Sequence, residues 1–509
     1  MKNLKWKKVG SAVLATALAG SMVLPATAYA QGEIVQLEGG TSTQTNTAPE
    51  QVFLNKYSGT VRTQNFNDNW KFYLGDASGA QTPAFDDSSW DQVNLPHDYS
   101  IDQKYNRSMD GESGYLPGGT GWYRKSFTVD KSLEGKRISI DFGGVYMNAT
   151  IYVNGKKLGT HPYGYTPFSF DITDNVKFGK ENVIAVKVDH QTPSSRFYSG
   201  SGIYRDVDFV VTDTVHVDKN GTKIETPDLK EHVDGNNVAV KVKTTVVNES
   251  ERDASVKVKH TIYPKNGTAE QAVATFESQE AVAVEKGKSK DVSADFTASG
   301  VQLWSTTTPN LYTVKTEVLM DGATVDTYET DYGFRYFAFD KNNGFTLNGQ
   351  KMKLQGVCMH HDQGALGSVA NDRSTERQVE ILKMMGCNSI RVTHNPASDE
   401  LIDACNKQGI LVIDEAFDGW VAPKNGNSND YAKWFNKEIE SDNEIMGAAD
   451  NMTWAQFDLT AMIERGQNDP AIIMWSLGNE MWEGTGGYSA AYKTAQDNLV
   501  KWAKAADIG

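Results

Sequence analysis

Two patterns of hydrophobic spacing divide this chain. From residue 56 to about 333, apolar and polar positions alternate. "KRISIDFGGV" places Ile138, Ile140 and Phe142 on one side of an extended segment, and "NNVAVKVKTTVVNES" and "ASVKVKHTIYPK" repeat the pattern, as half-buried β-strands do. Asn154-Gly155 and Asp321-Gly322 stand between such runs; these dipeptides tolerate the positive φ angles that tight hairpins demand. Successive one-faced strands separated by turns predict stacked sheets. We read a jelly-roll sandwich over 56–214, rich in aromatics (Trp70, Trp90, Trp122, Tyr123), and a smaller immunoglobulin-like sandwich over 215–333.

Beyond residue 334 the period changes. After a last hairpin on Asn348-Gly349, strand-like and helical segments alternate. The strands are "MKLQGVCMHHD", "CNSIRVTH", "ILVIDEAFDGW" and "AIIMWSLGNE", continuous apolar runs of the kind expected for parallel strands buried on both faces. The helices are "STERQVEILKMMG", opened by a Ser/Thr cap and stopped at Gly386, then "ASDELIDACNKQG" closed by Gly409, "MTWAQFDLTAMIERGQND" and "GYSAAYKTAQDNLVKWAKAAD". Four βα units fit a small doubly wound sheet or half of a (β/α)8 barrel, which needs about 250 residues. The strand ends decide. Each carries polar groups: His360, His361 and Asp362; Arg391 and His394; Asp414 and Glu415; Asn479 and Glu480. Barrel enzymes build their sites at that rim, whereas a doubly wound sheet concentrates ligand groups at one switch point with a Gly-rich phosphate loop, and no such loop follows any of these strands. Residues 334–509 are therefore expected to be the N-terminal half of a (β/α)8 (TIM) barrel.

Charge and composition narrow the partners. The 509 residues carry a formal charge of −15; residues 1–30 hold four lysines and no acid, so removing those four positive charges leaves −19 on the rest. That surface argues against nucleic acid and anionic membranes. Residues 1–30 combine Lys2, Lys5, Lys7 and Lys8 with an apolar run and "AYA" at 28–30, the form of a signal peptide cleaved after Ala30. Export to the cell surface or medium follows, with a mature protein that does not span the membrane. Residues 31–55 read as a flexible leader. Cys358, Cys387 and Cys405 are expected to be three buried thiols, and no Cys/His spacing suggests a metal site.

The rim offers an acid, an amide, imidazoles, a guanidinium and further carboxylates, with no nucleophile elbow and no cofactor fingerprint. Such a set suits glycoside hydrolysis, in which paired carboxylates protonate the leaving oxygen and attack the anomeric carbon, about 5–5.5 Å apart in retaining enzymes. "NDPAIIMWSLGNE" (468–480) and "NSIRVTHNP" (388–396) resemble the two signatures of glycoside hydrolase family 2. "GWYRKSF", "VNGKKLGTHPYGYTPFSFDIT", "SGSGIYRDV" and "LWSTTTPNLYTV" match its upstream modules, and "GVCMHHDQGALG" with "IDEAFDGW" looks most like secreted bacterial β-galactosidases. The resemblance implies a retaining β-galactosidase with Glu480 as general acid/base, Asn479 holding the sugar 2-hydroxyl, His360 and His394 around the sugar, and Arg391 supporting the carboxylates. Trp420 and Trp482 are candidate sugar platforms. Some relatives hold magnesium through a Glu-x-His pair after the third barrel strand; "EAFDGWV" lacks that pair, so no metal or other cofactor is expected. The family's nucleophile is a second Glu from the seventh barrel strand, which this sequence does not include, so the chain is expected to be inactive alone. β-Glucuronidase, β-mannosidase and non-catalytic carbohydrate binding are the alternatives.

Overall fold

A computed structural model describes residues 55–59, 61–481 and 489–507. The expected signal peptide, nearly all of the leader and Trp482 lie outside them. No helix among the described residues is long and apolar enough to cross a membrane.

The first sandwich pairs a seven-stranded sheet with a four-stranded one. The larger sheet centres on Gly119–Val129 and Glu181–His190, which run antiparallel over their whole length. The smaller one orders Thr63–Asn65, Val207–Thr212, Arg137–Phe142 and Phe168–Asp171. Ile138, Ile140 and Phe142 are all buried, as their alternation requires, and burying each such side chain contributes about 1.5–3 kcal/mol. A charge at Ile140 would therefore break this face.

The second sandwich packs a three-stranded sheet (Val215–Glu225, Val238–Asn248, Lys288–Ala298) against a five-stranded one built on Ala254–Pro264 and Tyr312–Met320. Several of its strands reach 11 residues. The three hairpin dipeptides all carry positive φ at both positions: Asn154 and Gly155, Asp321 and Gly322, Asn348 and Gly349.

The barrel portion is a parallel sheet of Gly356–Met359, Ser389–Val392, Leu411–Glu415 and Ile472–Ser476 in sequence order. Its helices are α1 (Asp372–Met384), α2 (Asp399–Gln408), α3 (Trp454–Gly466) and α4 (Ala490–Ala506). Ser398, Thr453 and Ser489 cap α2, α3 and α4 by accepting the backbone N–H three residues on. For α1 the capping residue is Asn371, not the Ser/Thr expected, because its side chain accepts from the Ser374 N–H. Two further expectations fail for one reason. Cys358 is exposed rather than buried, as is Met474 on the fourth strand. They belong to one row across the sheet, Cys358–Arg391–Ile413–Met474, on the face opposite the one buried against the helices, and neither end of that row is covered by the described residues. Cys405 is buried and Cys387 partly so.

Candidate active site

Register sorts the rim residues. Paired positions share a face and successive residues alternate, so neighbouring acids part company. Glu415, paired with Ser476, faces inward with the Arg391 row, and Asp414, paired with Trp475, faces the helices. Asp414 is fully buried there, ion-paired to Arg465 of α3 at 2.8 Å and accepting from Ala397 N–H at 2.9 Å. It is a packing device, apart from the rim chemistry. Glu415, also fully buried, is the hub of the site. Its Oε2 accepts from Arg391 Nε (3.0 Å) and Nη2 (2.6 Å) and from Ser476 Oγ (2.5 Å), and its Oε1 lies 2.6 Å from His394 Nδ1. Burial pushes the Glu415 carboxyl up, but the bonds from His394, Ser476 and Arg391 outweigh it and hold the group below the usual carboxylate range. Glu415 is thus a fixed anion that orients His394 and Arg391.

Arg391 passes this order to Asn479. Its Nη2 donates to Asn479 Oδ1 at 3.1 Å, while Asn479 Nδ2 faces Asp418 Oδ1 at 3.1 Å and Glu480 Oε2 at 3.5 Å. A cation on one side and carboxylates on the other set the amide's orientation. The turn that carries it is tight: a Cβ on Gly478 would lie 2.6 Å from Trp420 Nε1, and that indole donates to Leu477 O at 2.8 Å. Trp420 is buried in this role, so its face is not presented as a sugar platform.

Glu480 has φ +50°, a left-handed conformation costing a non-glycine residue about 1–2 kcal/mol. Lys424 offsets that cost: its ammonium donates to Asn479 O at 2.7 Å and Glu480 O at 3.0 Å, charge-assisted bonds worth about 1.5–3 kcal/mol each. The Glu480 side chain remains half exposed. His360 and His394 stand edge to face with ring centroids 5.4 Å apart. Burial, reinforced by His394, holds His360 below its ordinary pKa, so it is neutral at pH 7. His361 turns away and packs on Tyr165, and burial pushes its pKa far down. Among the Asp362 contacts is its backbone carbonyl, which accepts from Gln378.

Four contributors escaped the sequence reading. Asp418 accepts two bonds from Arg196, Nε at 3.0 Å and Nη2 at 2.6 Å. The hydrogen bonds from Arg196 and Asn479 overcome burial and keep the Asp418 pKa low. The Phe197 ring packs tilted against both imidazoles, its centroid 4.1 Å from that of His360 and 5.2 Å from that of His394. Arg196 and Phe197 come from the first sandwich, in the non-periodic stretch 191–206; a polar, aromatic segment interrupting a regular β pattern is the signal that could have flagged them. Lys424, the fourth, had no signal beyond its place after the third strand.

The residues do not fit the magnesium of some relatives. Both carboxylates at and just after the end of the third strand, Glu415 and Asp418, already accept from cationic or N–H donors, and two cations flank Glu480. Among the described residues no group of three or more His, Cys, Asp or Glu is arranged to hold a metal.

Two sandwiches preceding a parallel barrel sheet, with an acid and an amide at its fourth strand end, define a modular glycoside-hydrolase architecture. Three family models match in order: the sugar-binding domain of glycosyl hydrolases family 2 over 63–213, the family 2 model over 222–335 and the family 2 TIM-barrel domain over 340–508. The chain belongs to glycoside hydrolase family 2. It is 42% identical over 421 residues to the β-galactosidase BoGH2A of Bacteroides ovatus, covering 82% of this chain and 46% of that protein. It is 30% identical over 374 residues to a β-glucuronidase of Formosa agariphila, covering 69% and 38%. Among solved structures, a family 2 member from Bacteroides cellulosilyticus superposes with a TM-score of 0.77 at 37% identity, covering 88% of this chain and 56% of that one. A Bacteroides uniformis β-glucuronidase gives 0.72 at 30%, covering 88% and 51%. The chain spans about half the length of the curated relatives it matches.

Proposed function

We propose that the active protein containing this sequence is an exported retaining β-galactosidase, with Glu480 as its general acid/base. The observation that carries the reading is the Glu480 carboxyl: held in a left-handed turn and half exposed, its Oε2 faces Arg196, Asn479 and Lys424, while its Oε1 carries no hydrogen bond among the described residues. In the first step Glu480 gives its proton to the glycosidic oxygen as the anomeric C–O bond breaks and the anomeric carbon bonds to the nucleophile. In the second it takes a proton from water, whose oxygen replaces the nucleophile. Asn479, His360 and His394 bind sugar hydroxyls. Glu415 and Asp418 are each committed to their own partners, so the nucleophile is a different carboxylate.

A neutral sugar is favoured over a uronic acid. The relative matched at 42% identity is named a β-galactosidase, whereas those named β-glucuronidases match at 36% or less.

The test is a panel of nitrophenyl β-D-galactoside, glucuronide and mannoside with the active protein and its Glu480→Gln variant. Galactoside turnover that falls by about 10³-fold in the variant, in the range of general acid catalysis, is the expected result. Faster cleavage of the glucuronide or mannoside would overturn the sugar assignment, and an unimpaired variant would overturn the role of Glu480.

A further inference from the structure

Resting on that reading of Glu480, we propose that Arg196 of the sugar-binding domain is the positioning residue that makes the general acid one-sided: it holds Oε2, so that the proton to be transferred is carried on Oε1.

A carboxyl group has two equivalent oxygens, and a proton on the wrong one is useless to the leaving group. Among the described residues, every polar contact of the Glu480 carboxyl falls on Oε2: Arg196 Nη1 at 3.3 Å, Asn479 Nδ2 at 3.5 Å and Lys424 Nζ at 4.0 Å. All three approach with N–H donors. A protonated Oε2 would aim its own hydrogen at these donors, whereas an unprotonated Oε2 accepts from Arg196 and Asn479 and faces the Lys424 ammonium. The proton is thereby directed to Oε1.

Arg196 has the rigidity the task requires. Asp418 grips its guanidinium in a two-point fork, the geometry that fixes direction as well as distance. The segment bearing it is pinned on both sides. Asp98 accepts from Tyr198 Oη at 2.5 Å, from Ser201 N at 2.9 Å and from Ser368 N of the barrel portion at 3.0 Å. Arg205 donates to Tyr165 O at 2.6 Å, Pro396 O at 2.8 Å and Ala397 O at 3.0 Å. The sugar-binding domain and the barrel portion thus meet at the acid, and the guanidinium from one sets the proton of the other.

The experiment uses substrates that differ only in their need for a proton. Leaving 2,4-dinitrophenolate needs little acid help; leaving methoxide needs much. kcat/KM for methyl and 2,4-dinitrophenyl β-D-galactoside is measured for the active protein, Glu480→Gln, Arg196→Ala and Arg196→Lys, with circular dichroism confirming folding. Arg196→Ala is expected to lose about 100-fold on the methyl galactoside, within the span of general acid catalysis, and less than about 5-fold on the dinitrophenyl galactoside; Arg196→Lys should recover part of the loss. An equal loss on both substrates, or none on either, would overturn the proposal, as would Arg196→Lys remaining at the level of Arg196→Ala. If Glu480→Gln itself shows no preference for the activated substrate, the reading of Glu480 fails and takes this proposal with it. If only Arg196→Ala lacks the signature, the proposal alone fails.

Discussion

The immunoglobulin-like sandwich joins Tyr312–Met320 to Ala323–Tyr332 through two residues, Asp321 and Gly322. The sugar-binding sandwich instead spends residues 191–206 between Glu181–His190 and Val207–Thr212, and that stretch supplies Arg196 and Phe197 to the rim. Both domains obey the same alternation of apolar and polar positions. What separates them at the rim is the chain left outside the ladders: a two-residue turn has no side chains to spare, whereas the irregular segment, anchored at both ends, lends Arg196 and Phe197 to the site.

The comparison extends to how each sandwich uses charge, and the largest effect is expected there. His161 of the sugar-binding domain and Asp458 of α3 meet at 2.8 Å with both side chains fully buried. Thr166 Oγ1 and Tyr431 Oη also donate to that carboxylate. Asp458→Ala would strand three buried hydrogen-bond partners, each at about 1–3 kcal/mol, for a loss of at least about 3 kcal/mol. Urea unfolding should show a loss of that size. In the second sandwich, Lys243 and Asp291 pair at 3.1 Å with side chains 43% and 49% exposed, and Asp291→Ala should cost no more than about 1 kcal/mol. Equal losses would erase the distinction between a joint and a surface.

A pH effect of intermediate size isolates the second sandwich. His260 is wholly buried beside the Phe276 and Phe296 rings, bonded through Nδ1 to Thr316 at 3.1 Å, and its Nε2 has no partner among the described residues. Burial pushes its pKa down to about 4. The unfolded ring titrates near 6.5, so between about pH 6.5 and 4 the unfolded chain binds a proton that the native one refuses. Stability from this residue is therefore lost as pH falls through that window, by roughly 3 kcal/mol in full. His260→Leu should flatten the pH dependence of the melting temperature there and leave galactoside turnover at pH 7 unchanged; an unaltered slope would show that the ring is protonated in the native state.

Much of this was readable in advance because it follows local rules. Alternation gave the buried face of Ile138, Ile140 and Phe142, and the three hairpin dipeptides took their positive φ angles. His360, Arg391, His394, Asn479 and Glu480 converge because each ends or follows a parallel strand. Legibility ended where register and distant segments decide. Nothing local distinguishes Asp414 from Glu415: only the sheet shows that one meets Arg465 and the other Arg391. Asp418 and Lys424 were within reach of the third strand but drew their meaning from Arg196 and from the carbonyls around Glu480. Cys358 read as buried because its neighbours are apolar, and its exposure depends on what covers the inner face of the sheet.

The smallest effect is the sharpest test, because it sets matched chemistry in the two sandwiches side by side. Tyr163 is buried, and its hydroxyl lies 2.6 Å from Ala416 O and 2.8 Å from Asn395 Oδ1; Ala416 is next to Glu415 and two residues from Asp418. Tyr312 in the second sandwich is equally buried, and its hydroxyl accepts from Gln302 N–H at 2.7 Å. Replacing either by Phe deletes one oxygen and takes a hydrogen bond from its partner, a loss of about 1–2 kcal/mol in each case. Stability alone cannot tell them apart. Activity can: Tyr163→Phe loosens the backbone between the carboxylate that orients His394 and the one that grips Arg196, and kcat/KM for a galactoside should fall by about 3- to 10-fold, a misplacement of fractions of an ångström. Tyr312→Phe should leave kcat/KM unchanged at the same loss of stability. If both variants lose activity in proportion to stability, the sugar-binding sandwich supports the site no more directly than its neighbour does. If only Tyr163→Phe does, a hydroxyl of one domain is setting the carboxylates of another.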